Sequence, residues 1–417
     1  MAPDNPPFPS GAGRACFVTG ATGFVALNLV DELLRRDWEV YALHRLGSKR
    51  ADMLLGLPHA QPAGTARGKL VLVEGDLGMS AEAFARLVPA NTDVLYHICH
   101  VDEPTVHPMR KLAVPGFQPE GAEEHLRVNR DAMRNVVHAA STRGVRRVVY
   151  CSSWSAYGRQ PAGTWVSETT ESRAGDLVSG SAVPYFQCKH ALEQQLCRAV
   201  DEGGVSAVIL QPCSVFGRYG EAGWSQIFGK LLQTNGSLPG LPGASSFVDV
   251  QDLAAAFVAA ADVGPGTGEA YVVGGTNASN LEMQRKMAVL VGTPAPRKAT
   301  PAMVLRFLAQ WNECLLHIPW LRWLRVKPDA IGSPWLVAKI TQDQCTQSTA
   351  ACTLSQTSPQ GSPEVQGSPK ETVLVVVEGL EAQEVMVLGS LEVQEVVVLE
   401  NPKAREVLAV IQVIGGN

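Results

Sequence analysis

A short apolar run, Ala15-Cys16-Phe17-Val18, turns through Thr19-Gly20-Ala21-Thr22-Gly23 into Phe24 to Arg36, where Val25, Leu29, Leu33 and Leu34 keep a helical period. Few folds accommodate a strand that passes through glycines directly into a helix. Gly20 permits the tight turn, Gly23 lets backbone approach a ligand, and small Ala26 allows close helix–strand packing. The first amides of the helix and the positive end of its dipole suit phosphate. Gly20, Thr22, Gly23, Phe24 and Val25 are therefore read as a dinucleotide-binding turn.

The alternation continues. Residues 39–43, 70–74, 93–98, 145–151 and 205–210 read as strands, and 123–143 and 185–202 as helices between them. Such a pattern predicts an α/β fold, a doubly wound parallel sheet covered by helices on both faces. From Gln211 the texture changes, with frequent Gly, Pro and Trp to Gly243, a strand at 247–250, a helix at 253–261 and a strand at 268–273. Residues 286–326 read as mostly helical, broken by prolines. The expected division is a dinucleotide-binding domain at 13–210, completed by about 245–275, with a smaller, partly discontinuous substrate-binding part at 211–244 and 276–340.

The last stretch, 341–417, differs. Residues 342–370 are rich in Ser, Thr, Gln and Pro and read as a linker or disordered segment. An 11-residue repeat then places Leu-Glu-Ala-Gln-Glu-Val-Met-Val-Leu at 380–388 and Leu-Glu-Val-Gln-Glu-Val-Val-Val-Leu at 391–399. Its valine-rich runs suit strands, and no function is assigned to it.

Tyr185 and Lys189, four residues apart, meet on one face of a helix. An ammonium beside a phenol favours phenolate, bringing a tyrosine toward the working range of a proton-transfer catalyst. The second strand ends His44-Arg45, with Ser48, Lys49 and Arg50 beyond, where an NAD site places a carboxylate for the ribose 2′-hydroxyl. Glu39 comes too early, and a guanidinium at Arg45 suits a 2′-phosphate, so NADP(H) is favoured over NAD(H).

With Gly75-Asp76-Leu77, His97, Val128-Asn129, Ser153 and Tyr157, Pro184-Tyr185, Gln211-Pro212, and Phe247 to Asp252 in order, the chain resembles the extended short-chain dehydrogenases/reductases over about residues 13–330. Within them it is similar to the dihydroflavonol reductase-like group, bordering the 3β-hydroxysteroid dehydrogenases. The resemblance implies that Asp76 accepts from the adenine amino group with Leu77 alongside, and that Ser153 hydrogen-bonds the substrate oxygen. It implies that Tyr185 is the proton donor in carbonyl reduction, that Lys189 holds the nicotinamide ribose, and that Pro212, Ser214 and Val215 border the nicotinamide. Asp252 is read as structural. Gln211 stands where many relatives carry Arg, which weakens a sugar-nucleotide reading. His100 and His107, in a long loop after the fourth strand, are read as neither catalysts nor ligands, and no metal is expected.

The expected activity is NADPH-dependent reduction of a ketone or aldehyde of a moderately apolar small molecule, or oxidation of the matching alcohol. Substrate is expected against Trp224, Phe228 and the 303–323 helix. A sugar-nucleotide epimerase or dehydratase with tightly held NAD, or a non-catalytic dinucleotide-binding protein, are the alternatives. A net charge of -5 argues against nucleic acid as a partner. No 18-residue uncharged apolar stretch is seen, and the N-terminus reads as neither signal nor transit peptide. Nine scattered cysteines fit a reducing, cytoplasmic setting. A homodimer is the oligomer entertained.

Overall fold

The computed structural model describes residues 13–60, 68–101, 122–161, 164–174, 183–220, 223–305, 307–308 and 311, and strand backbone at 345–346, 372–378, 393–401 and 406–414. In chain order its first elements are β1 (Ala15–Thr19), α1 (Phe24–Arg35), β2 (Glu39–His44), α2 (Ala51–Leu55), β3 (Lys69–Glu74), α3 (Ala81–Leu87) and β4 (Thr92–His97). Next come α4 (Ala122–Arg143), β5 (Arg147–Cys151), a 3₁₀ turn (Trp154–Tyr157), β6 (Trp165–Val166), α5 (Val183–Asp201), β7 (Ala207–Pro212) and β8 (Ser214–Phe216). The remainder are α6 (Ser225–Gln233), β9 (Ala244–Asp249), α7 (Val250–Ala260), β10 (Thr267–Val273), β11 (Thr276–Ser279), α8 (Asn280–Leu290), β12 (Cys345–Thr346), β13 (Thr372–Glu378), β14 (Val393–Asn401) and β15 (Glu406–Ile414).

Two compact units form. The first comprises Met1–Ser225, Pro242–Asn280 and Thr300–Ser358, the second Gln226–Leu241, Leu281–Ala299 and Pro359–Asn417. The first holds a seven-stranded sheet in the order β10-β7-β5-β4-β1-β2-β3, with every pairing parallel. Parallel strands need crossovers, and here helices provide them on both faces. Side-chain alternation sorts the core. Cys16 and Val18 join Leu27, Leu29, Leu33 and Phe257 on the α1/α7 face, while Phe17 between them joins Phe84, Met133, Val136 and Leu192 on the α3/α4/α5 face.

Strand order reverses at β1, whose neighbours are β2 and β4. A crevice therefore opens beyond the carboxyl ends of β1 and β4. The opposite end of the sheet is tied by charge. Arg14 lies 2.6 Å from Asp93 and 2.8 Å from Asp262, and Arg146 reaches the same two carboxylates at 2.7 and 3.0 Å. The Arg14 guanidinium also stacks 4.2 Å over Trp38. Buried Arg147 donates to the carbonyls of Val263 and Gly264 at 2.8 and 3.1 Å, closing the loop after α7.

A small sheet, β11-β9-β8, extends the first unit, its β8 and β9 clasped by Ser214 Oγ and Ser245 Oγ at 2.7 Å. In the second unit, Gln284 accepts from Leu241 N and donates to Pro239 O, both at 3.0 Å. Of the stretch 286–326, read as mostly helical and broken by prolines, α8 begins earlier, at Asn280, and stops at Leu290, and helical backbone returns at 302–305, 307–308 and 311. Gly292, at φ +67°, ends it in the left-handed region, Thr293 N bonds back to Ala288 O, and Pro294 and Pro296 follow. Residues 312–326 lie outside the described residues. Helix α3 is capped by Ser80, whose Oγ accepts from Ala83 N.

The valine-rich tail does form strands. They pair antiparallel in the order β13-β15-β14, and β14 begins inside the second repeat. The first repeat at 380–388 and most of the 342–370 stretch lie outside the described residues, apart from β12, which pairs parallel with β6. Among the described residues no helix is long and apolar enough to cross a membrane.

Asp93 serves two arginines at once, and losing it leaves Arg14 and Arg146 to share the single carboxylate of Asp262. Asp93→Ala is expected to lower unfolding free energy by about 1–3 kcal/mol in urea titrations, while Glu124→Ala, at an exposed i,i+3 partner of Arg127, leaves the urea midpoint unchanged.

Candidate active site

Because the large sheet is wholly parallel, its strands end on one edge, and each residue expected at a site follows one of those ends. Gly20 to Val25 follow β1, Arg45 follows β2, Asp76 and Leu77 follow β3, Ser153 follows β5, and Pro212 to Val215 lie at and after the end of β7. Tyr185 and Lys189 enter from the first turns of α5.

The turn after β1 fits a phosphate ligand. Gly20 sits at φ +66°, and a Cβ there would come within 2.8 Å of Cys99 Cα in the segment after β4. Gly23 is the extended N-cap of α1, its N bonded to Gly20 O at 2.8 Å. No side chain caps α1, and its first turn carries no acid. Those leading amides are what an anion binds.

Two asparagines hold neighbouring loops. Asn135 Nδ2 donates to Leu77 O at 2.9 Å and Met79 O at 2.8 Å. Asn129 exchanges bonds with Val101, Oδ1 accepting from N and Nδ2 donating to O, both at 2.9 Å. Asp76 is exposed, and its Oδ1 accepts from Gly78 N at 2.7 Å, an Asx-type turn that shapes the loop after β3. Leu77 is buried beside Phe84 in the core. At β2, Glu39 lies at the strand's start, paired with Lys69 at 2.7 Å, whereas exposed Arg45 follows the strand's end.

Lys189 is 3% exposed. Its ammonium donates to Cys151 O at 3.0 Å and lies 5.4 Å from the Tyr150 ring and 5.8 Å from that of Tyr185. Burial works against its charge, but the surrounding phenols and thiols, Tyr150 and Tyr185 foremost, raise its pKa well above the ordinary lysine value. It therefore stays an ammonium at neutral pH. Ser153 is buried at the N-cap of the 3₁₀ turn, where its Oγ accepts from Ser155 N at 3.2 Å. The hydroxyl proton is a donor in addition, and α5 packs against this turn. His97, buried under Tyr150 with Nδ1 2.8 Å from Thr19 Oγ1, is held neutral, burial and then Lys189 lowering its pKa to about 3.

A second buried network lies one turn beyond Lys189. Tyr157 OH donates to Gln211 Oε1 at 2.8 Å, Gln211 Nε2 donates to Glu193 Oε1 at 2.8 Å, and Ser152 Oγ donates to the same carboxylate. Burial pushes the Glu193 carboxyl up to about 7 against those hydrogen bonds and Lys189. Sequence reasoning noted Gln211 as part of a motif and as a departure within it, and missed Glu193. Its signal was a carboxylate four residues after Lys189, on the helix face already singled out.

Trp224, expected against substrate, is instead core, packed edge-on to Phe247 at 4.7 Å between ring centres. Phe307 and Trp311 are exposed and stacked at 6.2 Å, and the rest of 312–323 lies outside the described residues. Pro212 and Ser214 are buried, and Val215 pairs with Val248 in the small sheet.

Glu193 holds its proton more tightly folded than unfolded, about 7 against 4.5. Its stabilising contribution is therefore complete below about pH 4.5 and is lost as pH rises through about 7. Glu193→Gln keeps a carbonyl oxygen for Ser152 and Gln211 but cannot ionise. In thermal melts from pH 5 to 8 the variant is expected to gain steadily on the parent, by on the order of a few kcal/mol at the alkaline end. Gly20→Ala, which meets Cys99 backbone, is expected to destabilise by about 1–2 kcal/mol or more and to abolish dinucleotide binding in fluorescence titration.

Comparison with known proteins bears on the family and the fold. The sequence profile of the NAD dependent epimerase/dehydratase family matches residues 16–274. A Synechocystis protein named as a dihydroflavonol 4-reductase is 28% identical over 68% of this chain and 75% of its own length. A UDP-glucose 4-epimerase of Mycolicibacterium smegmatis is 30% identical over 66% and 82%, and a 3-beta-hydroxysteroid dehydrogenase of Mycolicibacterium neoaurum 26% over 78% and 85%. Among solved structures, a Pseudomonas aeruginosa nucleoside-diphosphate-sugar epimerase superposes with TM-score 0.58 at 18% identity, covering 84% of this chain and 94% of that one. The Thermotoga maritima UDP-glucose 4-epimerase gives 0.55 at 17%, covering 81% and 91%. At such identities the structures speak for the fold, and the profile speaks for descent: this chain belongs to the NAD dependent epimerase/dehydratase family.

Proposed function

We propose that the protein is an NADPH-dependent oxidoreductase that reduces a ketone or aldehyde of a moderately apolar small molecule, or oxidises the matching alcohol. The observation that carries this reading is the buried Lys189 ammonium, 5.8 Å from the Tyr185 ring and bonded to Cys151 O, two residues before Ser153. When bound, the dinucleotide supplies or accepts hydride. The chain's own residues handle everything else.

Lys189 places a fixed positive charge beside the phenol, favouring the state in which Tyr185 has given its proton to the nascent alkoxide. Ser153 donates its hydroxyl proton to the same oxygen and lowers the energy of the developing charge. The turn Gly20 to Val25 holds the pyrophosphate against the α1 amides. Asp76 and Leu77 take the adenine end, and Pro212, Ser214 and Val215 border the nicotinamide. Exposed Arg45 at the end of β2, with Glu39 engaged by Lys69 at the other end, supports a 2′-phosphate. Cys16, Cys99, Cys151, Cys188, Cys197 and Cys213 are free thiols, which supports a reducing, cytoplasmic setting.

A sugar-nucleotide epimerase or dehydratase is the second reading, favoured by the 30% identity to the M. smegmatis enzyme. It requires dinucleotide that co-purifies with the protein, whereas a reductase exchanges it each turnover.

Tyr185→Phe is expected to cut kcat/KM for carbonyl reduction by about 10²–10⁴-fold while NADPH affinity stays within a few-fold. Full activity in this variant would sink the mechanism. Arg45→Ala is expected to weaken NADPH binding by about tenfold and leave NADH binding unchanged. Tighter binding of NADH than NADPH by the parent protein would overturn the cofactor assignment.

A further inference from the structure

Three side chains of metal-binding type meet beside Tyr185, brought together from the segment after β4, from α4 and from α5. His100 and His125 face each other with Nε2 atoms 3.1 Å apart, their rings crossing at 83°. Cys188 completes the group, and one ligand atom from each residue lies within 4.8 Å of the other two. His125 is 2% exposed, Cys188 0% and His100 partly buried, and His100 Nδ1 has no hydrogen-bond partner. His100 alone, read as a loop residue, gave no reason to expect a ligand. His125 and Cys188 stand 25 and 88 residues further on.

We propose that His100, His125 and Cys188 form a binding site for a thiophilic d¹⁰ cation of the Zn²⁺ class. Zn–N bonds of about 2.0–2.1 Å and a Zn–S bond of about 2.3 Å in tetrahedral array space the ligand atoms by roughly 3.3–3.6 Å. The two imidazole nitrogens already stand near that spacing, and closing the thiol onto them needs roughly an ångström of side-chain movement. A donor set of two imidazoles and one thiolate selects zinc or copper(I) over magnesium or calcium, which take oxygen. On coordination Cys188 loses its thiol proton to solvent and each histidine gives a neutral ring nitrogen. Three protein ligands leave a fourth position for water.

The site is independent of the redox reading, but it adjoins it. The His100 ring packs edge-on to the Tyr185 ring with centres 5.1 Å apart, and Cys188 immediately precedes Lys189. A divalent ion held there puts charge one ring away from the phenol.

The test uses full-length protein freed of metal by dialysis against a chelator and titrated with Co²⁺, then Zn²⁺. One equivalent of Co²⁺ is expected to give tetrahedral visible bands and a near-ultraviolet thiolate-to-cobalt charge-transfer band, both erased by one equivalent of Zn²⁺. Cys188→Ala is expected to lose the charge-transfer band, His100→Gln to weaken Co²⁺ binding at least tenfold, and Cys197→Ser, nine residues further along α5, to keep both signals. Absence of the charge-transfer band from the parent protein overturns the proposal, as does a band that survives Cys188→Ala. Should Cys188→Ala not fold, unchanged Co²⁺ affinity in His100→Gln overturns it equally.

Discussion

A buried ammonium is costly unless its surroundings answer it, and Lys189 sets that demand at the centre of this molecule. The answer comes from three directions: the Cys151 carbonyl at the end of β5, the Tyr150 face beneath and the Tyr185 ring one helical turn back. Each fixes something else. The carbonyl bond ties α5 to the strand end that leads into Ser153, Tyr150 stacks on His97, and His97 reaches Thr19 at the mouth of the glycine turn. A chain of contacts thus runs from Lys189 to the glycine turn after β1 without leaving the core.

The two ends of the sheet divide the work. At the amino ends, Arg14, Asp93, Arg146 and Asp262 make a mutual network that ties β4 and the loops before β1 and β5 to the loop after α7. At the carboxyl ends the polar groups are partnered by backbone and neutral side chains, and carboxylates are scarce near Lys189. Glu193, the nearby exception, has its pKa pushed toward neutrality by burial. The ion-pair network thus sits at the edge opposite Lys189 and Glu193, where burial holds groups in states that water would not favour.

Much of this was legible in the chain. The glycine turn, the strand–helix alternation and the Tyr185–Lys189 spacing each rest on local geometry, so period and position sufficed to read them. What escaped were meetings between distant segments. Glu193 and Gln211 look ordinary until α5 and β7 bring them together, and His125 and Cys188 carry no motif. Trp224 reads as a pocket wall in a Gly- and Trp-rich stretch, yet Phe247 claims its face. Helix α8 starts six residues before the expected 286, in a stretch without strong periodicity, while the break after it follows from one left-handed glycine and two prolines.

Helix α4 holds several of these segments at once. Asn135 grips the carbonyls after β3 and Asn129 the segment after β4, while His125 touches His100 beside the tyrosine. From His125 to Asn135 is roughly 15 Å of one rigid rod. The spacing between the loop after β3 and the segment after β4 is therefore gauged by a single ruler. Sliding that ruler by one residue would shift both marks together by about 1.5 Å, so the groove can change its position more readily than its length.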